Sequence, residues 1–351
     1  MKLSFFLFVL FLGCSTQKTK PYQKWSYKDL VWTSDNVRYQ PSLHIVEFEE
    51  EIEHLIYALK NAYGAKPLLN KHEFQSAIKE LGSLPYTDSP KDLCSEVAKV
   101  LKQIPDHHLS VKYNGKQCLK PKVQKVSVGK NSLESASKNW SGKFLKNDIA
   151  LISIKSFPSG KWKGFLEFVE SAKQNAQAII IDLRQNSGGN DAMGFQMAKT
   201  LAGQDIKTPY LKQIKRQTKE TLTIWDNYLR GMLSISKNPE QKKALNKLKD
   251  ENLSLLAKAF KGELPEFHEG PENKLQGWSY DKRKGFQGQI YILQDRGCGS
   301  SCESTIDFFE YFPNVTKIGT HTFGSIHFGN IGFFKLKNSG IRITLPTKTN
   351  Y

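Results

Sequence analysis

Residues 179–190 read I-I-I-D-L-R-Q-N-S-G-G-N, and this stretch decides the fold that we expect for the chain. Its apolar start predicts a buried strand, because β-branched residues suit a strand that is covered on both faces. The glycines near its end, Gly188 and Gly189, predict a turn whose backbone N–H groups are not shielded by side chains. The stretch therefore predicts an inner strand that ends in an anion-binding turn. The alternative is a plain strand-to-helix turn in which Asp182 and Arg184 form a structural ion pair.

A second motif, G-C-G-S-S-C-E at residues 297–303, follows another apolar strand about a hundred residues later. It places Ser300 at the start of a helical stretch, where unpaired N–H groups and the helix dipole favour negative charge. Ser300 is therefore a candidate nucleophile, and the N–H groups of Gly188 or Gly189 and of Ser301 are candidate oxyanion-hole donors. Together the motifs predict a serine hydrolase. The alternative role for Ser300 is a helix N-cap, which serine fills often.

The N-terminal residues predict export. A positively charged start is followed by an apolar run at residues 3–12, which is too short to cross a bilayer as a mature helix, and then by a small residue and Cys14. This is the pattern of a bacterial lipoprotein signal. We therefore expect residues 1–13 to be a signal peptide, Cys14 to carry the lipid, and residues 14–43 to form a tether to the cell envelope, at the outer membrane or in the periplasm. An ordinary signal peptide or an uncleaved anchor is the alternative.

The chain is strongly basic, with a formal net charge of +17. Its lysines are dispersed, and it has neither zinc-finger spacing nor an aromatic RNA-binding signature, so we expect no nucleic-acid partner. The basic surface is interpreted as solvated lysine faces that are attracted to anionic lipid or to cell-wall polymers. Composition does not predict the oligomeric state.

Cysteine usage is typical of an oxidising compartment. With Cys14 assigned to the lipid, an even number remains: Cys94, Cys118, Cys298 and Cys302. Four cysteines allow three pairings, and we favour Cys94–Cys118 together with Cys298–Cys302.

No cofactor and no metal are expected. A zinc site made of Cys298, Cys302, His321 and His327 has suitable ligand types, but its spacing matches no zinc motif. The G-x-S-x-G motif of α/β-hydrolases is also absent around Ser300, because the second glycine position holds Cys302.

Periodicity divides the chain into two parts. Residues 44–108 show apolar positions at helical spacing, including a helix that begins at Ser89-Pro90, and predict a helical subdomain. In residues 109–351 strands alternate with helices, which predicts an α/β (α+β) core with a mixed sheet and helices on its faces. Within this core, residues 204–284 are interpreted as a helical insertion over one end of the sheet, either as a lid or as a solvated decoration.

The two motifs resemble those of peptidase family S41, which includes the carboxyl-terminal processing proteases and the tricorn core. The family pattern is D-L-R-x-N-x-G-G, followed later by a serine three residues before a glutamate, here Ser300 and Glu303. The segment I-G-T-H-T-F-G at residues 318–324 and Asp-His-His at residues 106–108 resemble two further segments of the family. The resemblance spans about residues 45–350. It implies a ClpP/crotonase-like core and a serine peptidase that acts on peptides or unfolded proteins.

Departures from the family pattern point to one branch of it. Processing proteases carry a catalytic lysine where this chain has Ser325, and the segment after the D-x-H motif is too short for their PDZ domain. Both features resemble the tricorn-like branch, in which the histidine of the D-x-H motif is the base. The resemblance thus implies His108 as the base, with His107 as the fallback and Asp106 and Glu303 as supporting residues. A solvent-exposed histidine pair without a catalytic role is the alternative.

Tricorn-like enzymes orient this histidine with a glutamate that follows the last strands. This sequence ends at Tyr351, and no residue in it matches that glutamate. Three interpretations stay open: a truncated chain, an internal acid such as Asp106, or weak activity. The alternative function is a weakly active or inactive peptidase-fold lipoprotein that binds peptides or small ligands. A basic lipoprotein that only tethers envelope polymers is a further alternative.

Overall fold

A computed structural model describes most of the 351-residue chain. The described residues are 24–32, 39–119, 136–137, 139–158, 162, 164–206, 212–237, 239–270 and 280–350. The expected signal peptide, the lipidation residue Cys14 and part of the expected tether lie outside them.

Helices and strands are both abundant. The α-helices of the described residues are α1 (Ile45–Ala62), α2 (Lys66–Leu69), α3 (His72–Leu81), α4 (Pro90–Leu101), α5 (Phe165–Asn175), α6 (Ala192–Ala202), α7 (Lys219–Ile235), α8 (Pro239–Phe260) and α9 (Ser301–Asp307). The strands are β1 (Ser110–Tyr113), β2 (Lys116–Gln117), β3 (Ala136–Ser137), β4 (Trp140–Leu145), β5 (Ile149–Ile154), β6 (Ala178–Asp182), β7 (Gln213–Arg216), β8 (Phe267–Glu269), β9 (Gln289–Gln294), β10 (Val315–Gly319), β11 (Phe328–Lys335) and β12 (Arg342–Asn350). Within the described part of the chain, no helix is both long enough and apolar enough to span a membrane.

The first sheet contains the strands of both sequence motifs as neighbours. Its order is β10-β9-β6-β5-β4-β3, and the pairs β10–β9, β9–β6 and β6–β5 are parallel. Ile152, Ile181 and Ile292 of its inner strands are fully buried, and Phe165 of α5 and Met197 of α6 belong to the same core. Continuous apolar strands are what a sheet with covered faces requires. The predicted mixed sheet with packed helices is therefore confirmed.

A second six-stranded sheet was not anticipated from the sequence. Its order is β2-β1-β12-β7-β8, and β11 pairs with β12 as well. Strand β12 forms antiparallel pairs with β1, β7 and β11, so it organises the whole sheet. Leu55 of α1 and Leu93 of α4 share one hydrophobic core with Phe334 and Ile343 of these strands. The N-terminal helices are thus packed against the last strands of the described chain.

The helices that periodicity predicts near the N-terminus are present as α1 to α4. The predicted start of α4 is also confirmed. The side chain of Ser89 accepts a hydrogen bond from the Asp92 N–H (3.2 Å), and Pro90 is the first helical residue, where its missing N–H costs nothing.

The stretch at residues 204–284, interpreted from the sequence as a helical insertion, contains strands as well as the expected helices. Its helices α7 and α8 exist and pack on each other, and α7 also packs against α1 and β11. However, β7 and β8 are strands of the second sheet, so this stretch builds that sheet and does not simply cover one end of the first. Segments of three or four residues are too short to show the alternation that identifies a strand.

Arg216 of β7 fastens this stretch to the N-terminal helices. Its guanidinium is almost completely buried and donates hydrogen bonds to the carbonyl oxygens of Tyr63 (2.9 Å) and Lys60 (2.8 Å) at the end of α1. It also pairs with Glu266 at 2.7 Å. The last carbonyl groups of a helix have no helical N–H group to accept from. The arginine therefore acts as a C-terminal cap of α1 that is supplied by another element.

Both favoured cysteine pairs are confirmed. Cys94 of α4 is bonded to Cys118, with the two Cα atoms 5.7 Å apart. Cys298 is bonded to Cys302, with the Cα atoms 5.4 Å apart, and this short loop encloses Ser300. The first disulfide ties the helical region to the second sheet, and the second disulfide closes the turn that carries the candidate nucleophile.

Candidate active site

The sheet order brings the two sequence motifs together. Because β6 and β9 are parallel neighbours, the turns that follow them lie at the same edge of the first sheet. Two contacts join the turns directly. The Gln185 N–H donates to Asp295 Oδ1 (2.9 Å), and the Gly299 N–H donates to the carbonyl oxygen of Asn186 (3.1 Å). The turn after β6 and the turn before α9 are therefore one hydrogen-bonded unit.

The glycines of the first turn are required by close packing, of Gly188 against Ser300 and of Gly189 against Phe157. A Cβ atom on Gly188 would lie 2.9 Å from Ser300 Cβ and 3.0 Å from the Ser301 nitrogen. A Cβ atom on Gly189 would lie 2.1 Å from the carbonyl oxygen of Phe157. Both glycines also have positive φ values, 98° and 140°. Only residues without a side chain fit here, so the glycine turn presents bare backbone to the serine.

Asn186 fixes the turn from inside the protein. Its buried side chain accepts a hydrogen bond from the Gly188 N–H (2.9 Å) and donates one to the Ile154 carbonyl oxygen (3.1 Å). The Gly188 N–H therefore already has an acceptor, whereas the N–H groups of Gly189 and Ser301 have none among the described residues. Of the three donors considered from the sequence, Gly189 and Ser301 are the two that remain available to an oxyanion.

Ser300 occupies a strained position directly before α9. Its φ and ψ are 55° and −121°, in a region that residues with a side chain rarely adopt. Strain of this kind costs about 1–3 kcal/mol and persists only where the surroundings enforce it. Here the enforcing contacts are two hydrogen bonds from the Ser300 N–H, to Glu303 Oε2 (2.8 Å) and to Ser325 Oγ (2.7 Å). The turn thus holds the serine at the helix N-terminus in one orientation.

The Glu303 carboxylate is the centre of this arrangement. It is 3% exposed and accepts hydrogen bonds from the backbone N–H groups of Ser300 (2.8 Å), Gly324 (2.5 Å) and Ser325 (2.9 Å). A fourth comes from the Ser325 hydroxyl, 2.9 Å away. A buried carboxylate is tolerated when its oxygens are satisfied in this way. Glu303 therefore binds the serine turn to the segment after β10.

Ser325 stands where the processing proteases carry their lysine, and its hydroxyl is committed to structure. It is 3% exposed, donates to Glu303 and accepts from the Ser300 N–H. Sequence reasoning used this residue only to exclude a lysine. The structure shows that it helps to position the nucleophile turn.

Asp106 shapes the backbone around the histidines and does not contact the His108 ring. Its carboxylate accepts hydrogen bonds from the Tyr63 hydroxyl (2.8 Å) and from the His108 N–H (2.8 Å), and burial raises its pKa to about 6. His108 Nδ1 lies 4.0 Å from Asp106 Oδ1, beyond hydrogen-bond distance. This geometry does not support the interpretation in which Asp106 orients the imidazole.

His108 is an uncharged imidazole in this environment. Burial lowers its pKa to about 4, although the negative charge of Glu303 acts in the opposite direction. Its Nδ1 atom is buried and has no hydrogen-bond partner among the described residues. The ring is therefore neutral near pH 7, as a general base must be.

His107 contacts the segment that Glu303 holds. Its ring centroid is 4.3 Å from that of Phe323, and it is more exposed than His108. Desolvation lowers its pKa, and the charge of Glu303 again opposes the shift. His107 therefore packs on the residue before Gly324, whose N–H donates to the carboxylate that also holds Ser300.

Two alternative interpretations from the sequence, a structural ion pair and a zinc site, concern residues around this site. The ion pair between Asp182 and Arg184 that the alternative interpretation of the glycine turn predicts is present as a bidentate contact with both distances at 2.8 Å. The zinc alternative is wrong for its cysteines, because Cys298 and Cys302 are bonded to each other and cannot supply thiolates. Among the described residues no cluster of three or more potential metal ligands is found.

Replacing Glu303 with Gln should destabilise the fold by about 3 kcal/mol, because the amide group would face N–H donors that the carboxylate now satisfies. The free energy of unfolding in urea measures this change. Glu310→Gln is the matched control: Glu310 forms an exposed ion pair with Lys317, and its loss should cost less than about 1 kcal/mol. Equal stability of the two variants would contradict the central role of Glu303.

The fold agrees with comparisons to known proteins. The sequence pattern of peptidase family S41 matches residues 148–350. A search of curated proteins finds no match. Among solved structures, one described as a peptidase from Parabacteroides merdae ATCC 43184 matches with a TM-score of 0.53 at 12% identity, covering 86% of this chain and 84% of that one. Mature CPAF matches with a TM-score of 0.50 at 12% identity, covering 88% and 90%.

At such low identity the two structures show a shared fold and nothing more. The family pattern is the stronger finding, because it covers more than half of the chain and contains the glycine turn, Ser300 and Glu303. The chain belongs to peptidase family S41.

Proposed function

We propose that the chain is a serine peptidase that hydrolyses peptide bonds through an acyl-enzyme on Ser300. Family membership supports a peptidase with peptide or protein substrates. The observation that carries the proposal is the close packing of Gly188 against Ser300, together with the N–H groups of Gly189 and Ser301, which have no acceptor among the described residues. Two such donors next to a nucleophile form an oxyanion hole.

In the proposed reaction the Ser300 hydroxyl attacks the peptide carbonyl carbon while His108 takes its proton. The carbonyl oxygen becomes an oxyanion and accepts hydrogen bonds from Gly189 and Ser301. Collapse of this intermediate expels the amine, which receives the proton from His108, and leaves an ester on Ser300. A water molecule then attacks the ester carbonyl carbon while His108 takes a proton from it. Collapse of this second intermediate releases the acid, and His108 returns the proton to the Ser300 oxygen, which restores the serine and the neutral base. His107 is the second candidate for the base.

A fluorophosphonate probe tests the nucleophile. Such a probe should label the intact protein, and Ser300→Ala should lose all labelling because the probe bonds to an activated serine hydroxyl. Ser187→Ala is the matched control, since Ser187 is an exposed serine of the glycine turn and its loss should leave labelling intact. Mass spectrometry of the labelled peptide locates the adduct. A folded wild-type protein that stays unlabelled, or a Ser300→Ala variant that is still labelled, would refute the proposal.

The pH dependence of kcat/KM tests the base. His108 must be neutral to accept the proton, and its pKa of about 4 means that it is protonated only below that pH. Activity should therefore persist through pH 5 and fall around pH 4. With a histidine base of unshifted pKa, activity would already fall near pH 6.5. The acid limb is measured on a peptide substrate, with circular dichroism at each pH to exclude unfolding. A fall of kcat/KM near pH 6.5 would count against His108 as the base.

We also propose that the protein is exported and anchored to the bacterial envelope through a lipid on Cys14. The support is the signal-like apolar run before Cys14, together with two disulfides, since disulfides persist in oxidising compartments. A lipid anchor combined with the tether would hold the peptidase close to a membrane surface.

Metabolic labelling with radioactive palmitate tests the anchor. The wild-type chain should incorporate the label and sediment with membranes, whereas Cys14→Ser should lose the label and appear in the soluble fraction. Ser300→Ala serves as the control, because it removes the candidate nucleophile and leaves the N-terminal signal unchanged. Incorporation of palmitate into Cys14→Ser would rule out this site of attachment.

A further inference from the structure

The Cys298–Cys302 disulfide closes a small covalent ring around the candidate nucleophile. The two cysteines are only four residues apart, and their Cα atoms are separated by 5.4 Å. The backbone of the ring passes through Gly299, Ser300 and Ser301. The ring therefore contains the serine that we expect to react and one of the two N–H groups that remain available to an oxyanion.

This short ring contributes less to global stability than the other disulfide does. A disulfide stabilises a fold mainly by restricting the unfolded chain, and the restriction grows with the length of the loop that it closes. Cys94 and Cys118 are 24 residues apart and tie a helix to the second sheet. Cys298 and Cys302 lie within one turn and the start of the helix that follows it. The effect of their bond is therefore local, and it falls on the residues between the two sulfurs.

The ring holds a backbone conformation that an open chain resists. Ser300 has φ and ψ values of 55° and −121°, which a residue with a side chain adopts only where its surroundings enforce them. Helix α9, which begins at Ser301, is seven residues long, and a helix of that length has little stability of its own. The disulfide joins Cys302, in the first turn of this helix, to Cys298. The strained serine therefore lies between two points of the backbone that are covalently linked.

Each end of the ring is fixed to the edge of the first sheet. The Cys298 carbonyl oxygen accepts a hydrogen bond from the Phe323 N–H (2.8 Å), and the Cys298 N–H donates to the carbonyl oxygen of Asp295, directly after β9 (3.0 Å). Cys302 Sγ lies 3.6 Å from the carbonyl oxygen of Leu183, directly after β6. Both cysteines are fully buried. The ring is therefore seated on the ends of both strands that carry the sequence motifs.

The ring also sets the position of the nucleophile relative to the oxyanion donors. The Ser301 side chain donates a hydrogen bond to the Gly189 carbonyl oxygen (2.8 Å), and the Gly299 N–H donates to that of Asn186 (3.1 Å). The residues on both sides of Ser300 are thus attached to the glycine turn. If the ring opened, Ser300 would relax relative to these donors, and a displacement of about 1 Å can slow a reaction about hundredfold.

We propose that formation of the Cys298–Cys302 disulfide activates Ser300, so that the peptidase reaction depends on the oxidation of this pair. The inference rests on the proposed peptidase function and specifies how that site is regulated. Cys298 and Cys302 are positioning residues, because they act on the reaction through the Ser300 backbone. With both thiols reduced, the serine turn keeps its hydrogen bonds but loses the covalent link that opposes relaxation of the strained serine.

The oxidant in this step is a second disulfide, of a small molecule or of a protein. One cysteine thiolate attacks it and forms a mixed disulfide, which releases one thiol from the oxidant. The thiolate of the other cysteine attacks the mixed disulfide, forms the Cys298–Cys302 bond and releases the second thiol. Two electrons pass to the oxidant, and the protons of the two cysteines end on the two released thiols. Because both cysteines are buried in the folded protein, we expect this step to occur once, during folding.

Paired substitutions separate this role from ordinary stabilisation. Cys298→Ala/Cys302→Ala should lower the rate constant of fluorophosphonate labelling at Ser300 about hundredfold. Cys94→Ala/Cys118→Ala is the matched control, since it removes the disulfide with the longer loop. The control should lower the urea midpoint of unfolding more, yet keep the labelling rate constant within about twofold of the wild type. The two variants should therefore rank in opposite orders for stability and for labelling.

Steady-state kinetics on a peptide substrate locate the effect in the chemical step. In Cys298→Ala/Cys302→Ala, kcat should fall about hundredfold while KM stays close to the wild-type value, because the ring constrains the nucleophile and not the bound substrate. Hydrogen exchange measured by mass spectrometry should become faster in residues 297–303 and stay unchanged in β5 and β12. A rise of KM with unchanged kcat would assign the disulfide to substrate binding and overturn the inference.

Refolding of the wild-type chain tests oxidation without any substitution. Protein refolded with dithiothreitol should be folded by circular dichroism and labelled slowly, whereas refolding with oxidised glutathione should give the full labelling rate. The Cys94→Ala/Cys118→Ala chain should respond to the two conditions in the same way, which assigns the effect to the Cys298–Cys302 pair. Mass spectrometry of alkylated peptides reports the state of each cysteine.

The outcomes distinguish this inference from the peptidase proposal. Equal labelling of the wild type and of a folded Cys298→Ala/Cys302→Ala variant would overturn the inference and leave the peptidase proposal intact. If that variant does not fold, the reduced wild-type chain decides. Should the reduced chain unfold as well, the inference is overturned, because the disulfide would hold the fold and not the serine turn. An oxidised wild-type protein that stays unlabelled would refute the peptidase proposal, and the inference with it.

Discussion

The buried carboxylate of Glu303 is the interaction on which the rest of the site depends. It satisfies N–H groups from two segments that are distant in sequence, the serine turn and the segment after β10. Because each bond is made to a charged acceptor that is buried, it is stronger than a bond between neutral groups. Glu303 thereby enforces the unfavourable backbone angles of Ser300, and its charge partly opposes the lowering of both histidine pKa values by burial.

The parts of the site that sequence could predict are local ones. The apolar strand, the paired glycines and the serine before a helix are each encoded within about ten residues, and the structure places them together. The resemblance to a family added Glu303 and the histidines. Asn186 was missed, although an asparagine just before Ser-Gly-Gly is a recognisable signal for a side chain that caps its own turn. The role of the Ser325 hydroxyl depends on a contact across the fold and has no local signal.

The second sheet could not be predicted because its order depends on long-range pairing. Strands β7 and β8 are short, and β12 is flanked by partners from both ends of the chain. The same pairing explains why the N-terminal helices and the last strands share one core.

The central position of β12 has a consequence for how the protein folds. A sheet whose middle strand follows all of its partners in sequence cannot be completed before that strand has been synthesised. Its contacts join residues near position 110 with residues near position 344, and such non-local contacts slow folding because a long loop must close before they stabilise anything. The first sheet and its glycine turn have more local connections and can form earlier. The second sheet is therefore completed late, so an incompletely synthesised chain carries the serine turn without the sheet on which the N-terminal helices pack.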